Sequence, residues 1–256
     1  LDCRNCQTVC PAGVKVGELV LEARHRIEEH LPQPLLKRFL LEYAIKDQKK
    51  LALLMQPLKA YQAFGLQWLV RKTHLLPLIS DDMAFMEALL PSLPVRPLAD
   101  SIPEEMPAKG PEKGRVGFFL GCAMNLIFAH ISRDTIEVLN RAGYTVVIPK
   151  NQQCCGTPNL AEGERAVYRD MAEHNIDLFD KLDIQAIVTD CAACGSELKA
   201  YRESLSKQAR VAKRAESFSS KVRDISEFLA SATGDDIGFG PLPETVCFHA
   251  PCHLRH

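Results

Sequence analysis

The segments Cys154-Cys155-Gly156 and Cys191-Ala192-Ala193-Cys194, with Cys122 upstream, form the stretch that decides the fold of this chain. The full spacing is Cys122-x31-Cys154-Cys155-Gly156-x34-Cys191-x2-Cys194. Each single cysteine or pair follows a short apolar run that is typical of a buried strand. Because neighbouring residues of an extended chain point to opposite sides, Cys154 and Cys155 can face one centre only where the backbone turns sharply. Gly156 permits that turn, since it has no Cβ.

Thiolates are soft ligands that favour iron–sulfur clusters, zinc or Cu(I). The alternative is a set of structural cysteines, because free Cys is often simply part of a core. The regular position of these cysteines after strands favours a site. We therefore predict that Cys122, Cys154, Cys155, Cys191 and Cys194 bind a metal ion or a cluster.

Strand-like and helix-like segments alternate from residue 115 onwards. The strands are predicted at 115–120, 144–148, 186–189 and 245–249, and the helices at 126–141, 160–181, 194–204 and 222–230. Strands separated by helices predict an α/β fold with a parallel sheet of βαβ units. Sites in such sheets lie beyond the carboxyl ends of the strands. Cys252 follows the fourth predicted strand, so we expect it at the same edge as the five other cysteines.

The first residues carry a second cysteine motif. Cys3-x2-Cys6-x3-Cys10-Pro11 matches the last three cysteines of the bacterial ferredoxin run C-x2-C-x2-C-x3-C-P. By that pattern Cys3 and Cys6 ligate one [4Fe–4S] cluster and Cys10 reaches a second cluster. A zinc knuckle or a chance grouping is the alternative, and Pro11 favours the ferredoxin interpretation. The first cysteine of the run would precede Leu1, so we expect the chain to be a fragment of a longer protein.

Apolar periodicity predicts helices at 16–31, 35–55 and 58–73. The third carries an aromatic and aliphatic stripe of Tyr61, Phe64, Trp68 and Leu69. Such a stripe can dock on a membrane or a partner, but at helical spacing it is more often core, and a core position is our expectation. Residues 91–114 contain six prolines and predict an extended, semi-rigid linker without a packed element.

Composition limits the class of protein. The chain has 256 residues, 46% of them hydrophobic, with ten cysteines and a net charge of −1. It can therefore bury a sizeable core, and it has no basic stripe of the kind that binds nucleic acid. Neither a signal peptide nor an apolar run of the roughly 18 residues needed to span a membrane is evident. We therefore expect a cytoplasmic protein whose cysteines bind metal or clusters rather than form disulfides.

The spacing of the five central cysteines resembles that of the CCG cysteine-rich domain, found in heterodisulfide reductases, lactate-utilisation proteins and the iron–sulfur subunit of glycolate oxidase. The segment 248–252, Phe-His-Ala-Pro-Cys, resembles the start of a second CCG repeat with Cys252 as its first cysteine. His249 and His253 lie next to Cys252, and a ligand or proton-handling role for them stays open. On this resemblance we expect the chain to be truncated at both ends.

The order of modules resembles the glycolate oxidase iron–sulfur subunits. The resemblance implies the C-terminal part of a 4Fe–4S ferredoxin-type module at 1–15, a helical segment at 16–90, the linker at 91–114, a first CCG domain at 115–244 and the start of a second repeat at 245–256. It implies two [4Fe–4S] clusters in the ferredoxin module of the full protein and one in the CCG domain, where zinc is the alternative.

The same resemblance implies a function. The protein would be an electron-transfer subunit of a glycolate dehydrogenase complex, working beside FAD-containing subunits and passing electrons towards a quinone or similar acceptor. It would contain no residue that reacts with substrate, and it would lie in the cytoplasm or peripherally on the inner face of the cytoplasmic membrane.

Two other functions stay open. One is a subunit of a related oxidoreductase, such as anaerobic glycerol-3-phosphate dehydrogenase or a heterodisulfide-reductase-like enzyme. The other is a non-redox zinc scaffold. The sequence contains neither a G-x-G-x-x-G nor a P-loop pattern, so it gives no support for nucleotide binding.

Overall fold

The computed structural model describes residues 3–31, 34–73, 76–232 and 240–255. The part up to residue 90 consists of short helices, whose amphipathic pattern is visible in the sequence. They are α1 (Asn5–Thr8), α2 (Val16–His30), α3 (Leu35–Phe39), a π-helix (Leu40–Ala44), α4 (Gln48–Leu54), α5 (Gln56–Ala63), α6 (Leu66–Thr73) and α7 (Asp81–Ala88).

The rest of the described chain forms a five-stranded sheet in the order β1-β3-β2-β4-β5. Strands β2, β3, β4 and β5 are parallel, and β1 runs antiparallel to β3 at one edge. The α/β class with a parallel sheet is thereby confirmed. The strands are β1 (Glu105–Met106), β2 (Gly114–Phe118), β3 (Tyr144–Val147), β4 (Ala186–Thr189) and β5 (Val222–Asp224).

Helices cover both faces of this sheet. They are α8 (Leu98–Ser101), α9 (Cys122–Leu126), α10 (Ala129–Arg141), α11 (Thr157–Ala161), α12 (Arg165–Phe179), α13 (Ala192–Ser204), α14 (Ala212–Lys221), α15 (Ile225–Ala232) and α16 (Cys252–Arg255). One core contains Val116, Phe118 and Ile136, and the other contains Phe119, Ile176 and Tyr201. Because both faces are covered, the central strands are continuous apolar runs rather than alternating ones.

One predicted strand is wrong, and one predicted helix begins later than expected. Residues 245–249 form no strand, and Val246, Cys247 and Phe248 are exposed. A β-prone run needs a neighbouring strand to bond with, and propensity alone does not supply one. The helix predicted at 222–230 begins only at Ile225, because Val222–Asp224 pairs with β4 as the edge strand β5.

The proline-rich stretch is more ordered than the sequence predicts. Leu98 on α8 is fully buried in the core, and Asn140 Nδ2 donates to the Met106 carbonyl over 3.0 Å. Glu105 pairs with Val147 in the sheet. The prediction that 91–114 forms no packed element is therefore wrong, since its prolines flank these short elements instead of interrupting them. The division of the chain into domains stays a prediction.

The aromatic stripe of α5 and α6 also departs from expectation. Phe64 and Trp68 are 81% and 63% exposed, so the expected core position is wrong. These helices are too short and too few to form a core of their own, and the α/β unit does not cover this side of them. No helix of the described ranges is long and apolar enough to cross a membrane.

The helical segment packs against the α/β unit through specific polar contacts. Arg24 on α2 donates to the Ala161 carbonyl over 2.6 Å, and Asn159 Nδ2 donates to the Leu41 carbonyl over 2.8 Å. Gln48 on α4 donates to the Leu120 carbonyl over 3.2 Å, directly before the loop that carries Cys122. These contacts bring the helical segment next to the cysteine loops.

Candidate metal centre

The five central cysteines lie at the carboxyl edge of the three middle strands. Cys122 begins α9 after β2, Cys154 and Cys155 lie in the loop after β3, and Cys191 and Cys194 surround the start of α13 after β4. Since β3, β2 and β4 are parallel neighbours, their loops meet at one edge, as the sequence predicts. Cys154, Cys155 and Cys194 are buried, and Cys122 and Cys191 are half-buried.

Contacts between sulfur atoms join the three loops. The Sγ atoms of Cys122 and Cys154 lie 3.8 Å apart. The Cys154 and Cys194 thiols lie close enough to Cys155 to shift its pKa, and the Cys194 thiol does the same to Cys191. The thiols thus form one connected group in the order 122, 154, 155, 194, 191.

A glycine allows two of these loops to approach closely. A Cβ at position 121 would lie 3.1 Å from Cys194 Sγ and 3.7 Å from Cys191 Cβ. Gly121 therefore brings the loop after β2 against the Cys191–Cys194 pair. This close approach was not predicted from the sequence, although a glycine directly before a cysteine is a signal for it.

The turn predicted at the cysteine pair is present. Gly156 has φ 89°, in the left-handed region that favours glycine. A Cβ there would lie 2.6 Å from Cδ2 of Tyr168 on α12. Gly156 thus serves both the turn and the packing of Tyr168.

Buried side chains hold the cysteine pair by its backbone. Asn175 on α12 accepts from Gln153 N over 3.0 Å and donates to the Cys154 carbonyl over 3.1 Å. The Tyr201 hydroxyl on α13 donates to the Cys155 carbonyl over 2.8 Å. The backbone around both thiols is therefore fixed from two helices, which sets where the thiols point.

Gln152 ties the loops after β2 and β3 together. It accepts from Leu120 N over 2.9 Å and donates to the carbonyls of Phe118 and Pro149, each over 3.0 Å. Gln152, Asn175 and Tyr201 were all missed by sequence reasoning, since none stands in a motif. No local signal marks them, since Gln152, for example, lies in the polar stretch 150–153 and becomes a buried partner only in the folded chain.

Interactions between neighbouring thiols shift their pKa values in alternating directions along the group. They lower the pKa of Cys122, Cys155 and Cys191 below the usual thiol value. They raise the pKa of Cys154 and Cys194, which burial raises further. Three thiols with lowered pKa thus alternate with two thiols of raised pKa along the connected group, and thiolates are the form that binds metal.

The predicted N-terminal ligands lie on and around α1. Cys3 and Cys10 are half-buried, Cys6 is exposed, and Val14 N donates to Cys10 Sγ over 3.4 Å. Among residues 3–31, 34–73, 76–232 and 240–255, no group of three or more Cys, His, Asp or Glu is already arranged to hold a single metal ion. The ligand role of these cysteines stays a prediction.

The predicted second repeat begins at the exposed Cys252, on α16, which contacts α13. His249 is exposed and His253 is half-buried. None of the contacts described for Cys252 joins it to the connected thiol group. Its expected position at the carboxyl edge of the sheet stays a prediction.

The donor set of the central group suits a soft centre. Five thiols in a connected, mostly buried group match the ligand preference of iron–sulfur clusters, and of zinc if only four are used. Phe119, Tyr168 and Met171 are buried in the adjoining core and limit water access. A group of this kind can hold a redox centre away from solvent.

Comparison with known proteins agrees with this chemistry. Residues 116–199 match the cysteine-rich CCG domain, and residues 32–90 match the linker region of the glycolate oxidase iron–sulfur subunit. No solved structure matches the chain significantly.

Curated relatives extend the match. The probable glycolate oxidase iron–sulfur subunit of Bacillus subtilis is 33% identical over 100% of this chain and 59% of its own length. The glycolate oxidase iron–sulfur subunit of Escherichia coli is 26% identical over 100% of this chain and 58% of its own length. Lactate utilization protein A of Shouchella clausii is 31% identical over 54% of this chain and 57% of its own length. The chain thus spans less than two thirds of each of these relatives; it is similar along its whole length to glycolate oxidase iron–sulfur subunits, and residues 116–199 match the CCG cysteine-rich domain.

Proposed function

We propose that this chain is the electron-transfer part of a complex that oxidises glycolate or a related 2-hydroxy acid. The observation that carries the proposal is the connected group of five thiols at the carboxyl edge of β3, β2 and β4. The relatives named as glycolate oxidase and lactate utilization proteins support the substrate class.

The five thiols of the CCG domain would hold a cluster of the [4Fe–4S] type. Such a centre, when bound, stores and releases single electrons. The chain's own residues keep the thiols close together, exclude water with the core around Tyr168, and fix the Cys154 and Cys155 backbone through Asn175 and Tyr201. Zinc at this site is the alternative, and metal analysis separates the two.

The N-terminal motif would ligate two further [4Fe–4S] clusters together with cysteines outside this chain. Cys3 and Cys6 would serve one cluster and Cys10 the other. The amide of Val14, which donates to Cys10 Sγ, is of the kind that tunes a cluster's potential. Cys252 would begin a second CCG repeat, with His249 and His253 beside it.

Electrons would enter from FAD-containing subunits and leave towards a quinone-type acceptor. Hydride or proton abstraction from the substrate would belong to the flavin subunit, so we assign no catalytic residue to this chain. Its location would be cytoplasmic, peripheral on the inner face of the membrane.

Anaerobic purification of the full-length protein tests the proposal. We expect iron and acid-labile sulfide, a cluster signal in electron paramagnetic resonance, and co-purification with a flavoprotein. Cys154→Ser should lower the iron content and alter the signal of the CCG centre. Cys247→Ser is the matched control, because Cys247 is exposed and outside both motifs. Zinc without iron or sulfide, or equal iron in both variants, would show that the proposal is wrong.

A further inference from the structure

Large apolar side chains on and around α5 and α6 are exposed to solvent. Phe64, Trp68 and Leu78 are 81%, 63% and 83% exposed. Soluble proteins rarely leave so many large apolar side chains of one short segment in water unless the surface binds something. We call these exposed side chains of residues 53–79 the apolar face, and they are Leu53, Leu54, Phe64, Leu66, Trp68, Leu69, Leu78 and Ile79.

The same segment has an unusual charge. Residues 48–80 contain no Asp or Glu and five basic residues, although the whole chain has a net charge of −1. Only Arg71 pairs with a carboxylate within the described residues, that of Glu87 over 3.0 Å. The basic residues are Lys49, Lys50, Lys59, Arg71 and Lys72.

Helix α6 combines the two features. Leu66, Trp68 and Leu69 are exposed, while the amide nitrogen of Gln67 on the same helix is buried. The Lys72 ammonium lies 4.6 Å from the centre of the Trp68 ring. An exposed tryptophan with a neighbouring lysine is typical of a helix that lies in a membrane interface, with its ring at the level of the headgroups.

We propose that the apolar face binds the surface of a bilayer that contains anionic lipids. A second copy of the chain would bring the same positive charge against this segment, which disfavours self-association through it. Anionic headgroups complement its lysines, and the acyl boundary accepts its aromatic and aliphatic side chains. This inference rests on the membrane location in the proposed function and assigns a surface to it. Its test needs neither a cluster nor electron transfer, so the inference and the proposed function can each fail without the other.

Vesicle binding tests the inference directly. The purified full chain is mixed with vesicles of phosphatidylcholine alone or of phosphatidylcholine with phosphatidylglycerol, and then sedimented. We expect sedimentation with the anionic vesicles only, weakened by salt. Trp68, the single tryptophan of the chain, should shift its emission to shorter wavelength in the same mixtures.

Two pairs of variants assign the binding to this surface. Phe64→Ser with Leu69→Ser should abolish sedimentation while keeping Trp68 as the reporter. Leu35→Ser with Leu36→Ser is the matched control, because these α3 side chains are 85% and 72% exposed on another helix. Lys49→Gln with Lys72→Gln should weaken binding about 25-fold, at about fivefold for each lysine. Lys207→Gln with Lys213→Gln, exposed on the α/β unit, should leave binding unchanged.

Several outcomes would overturn the inference. They are no sedimentation with anionic vesicles, equal binding to both kinds of vesicle, or equal binding by the apolar variant and its α3 control. Loss of a co-purifying subunit in the apolar variant, with vesicle binding unchanged, would assign the face to a protein interface. Circular dichroism of each variant must match the parent chain, so that unfolding does not imitate lost binding.

Discussion

At the scale of single residues, Gly156 is where backbone conformation and packing meet. We expect Gly156→Ala to destabilise the protein by about 1–3 kcal/mol from its left-handed backbone alone, with a further loss because its Cβ would meet Tyr168 at 2.6 Å. Gly110→Ala is the control, because Gly110 also has positive φ but has open space around it. Denaturant unfolding of the reduced, iron-free chain measures both, and equal losses would show that the Tyr168 contact is unimportant.

Tyr201 is the second residue whose role can be isolated. Tyr201→Phe removes the hydroxyl that donates to the Cys155 carbonyl and leaves that buried carbonyl without this donor. We expect a loss of about 1–3 kcal/mol in unfolding free energy. In the cluster-loaded protein we also expect a shift in the reduction potential, because the backbone that carries Cys155 is freed.

Tyr144→Phe is the matched control for Tyr201. The Tyr144 hydroxyl donates over a longer 3.4 Å to the Ala232 carbonyl, in the core on the other face of the sheet. Tyr144→Phe should therefore lower the unfolding free energy by less than Tyr201→Phe does, and it should leave the reduction potential of the cluster unchanged. If both variants shift the potential equally, Tyr201 does not position the cysteine pair.

These residues show where sequence reasoning ends at this scale. The turn at Gly156 was predictable because backbone freedom is a local property, and the meeting of the cysteine loops was predictable because parallel strands end at one edge of the sheet. Gln152 and Asn175 were not, because each acts on loops that only the folded sheet brings together.

At the scale of elements, the short helix α8 in the proline-rich stretch contributes to the core of the α/β unit. Leu98→Ala should destabilise the chain by about 2–5 kcal/mol, because Leu98 is fully buried. Val95→Ala, an exposed neighbour in the same proline-rich stretch, should change stability by less than about 0.5 kcal/mol. Thermal or denaturant unfolding compares the two, and similar small effects would restore the prediction of an unpacked linker.

The strands of the sheet differ in how well the sequence predicts them. Strands β2, β3 and β4 were predicted because each is a buried apolar run followed by a cysteine motif. Strands β1 and β5 were not, because they have two and three residues and carry charged Glu105 and Arg223. Edge strands of this kind are specified by the neighbour they pair with, and not by their own pattern.

At the scale of the whole molecule, the junction between the helical segment and the α/β unit contains a buried acid. The Glu164 side chain lies before α12, is buried, and has an oxygen without a hydrogen-bond partner in the described residues. The nearby carboxylates of Glu28 on α2 and Glu42 on the π-helix raise the pKa of Glu164. The nearby cations Arg38 and Lys37 on α3 lower it. Sequence patterns gave no sign of this junction, because its charges come from distant segments.

Burial, and secondly the charges of Glu28 and Glu42, raise the pKa of Glu164 above the usual carboxyl value of 4.5. The folded chain therefore holds this proton more tightly than the unfolded chain. The resulting stability is complete below the usual value and is lost as pH rises through the folded pKa. Glu164→Gln should accordingly raise the unfolding free energy at neutral pH and remove that part of the pH dependence.

Glu227→Gln provides a control of opposite sign. Ion pairing and hydrogen bonding with Lys199 outweigh the effect of burial and lower the pKa of Glu227, so its stabilising effect is present above the usual carboxyl value and lost as pH falls. This variant should therefore lower stability at neutral pH. Denaturant unfolding of both variants and the parent chain, from below the usual carboxyl value of 4.5 up to mildly alkaline pH, measures the two slopes. Two results would contradict the prediction for Glu164→Gln: an unchanged dependence of stability on pH, or a loss of stability at neutral pH. Either would mean that the Glu164 carboxylate is ionised in the folded chain and is stabilised there by other groups or by water.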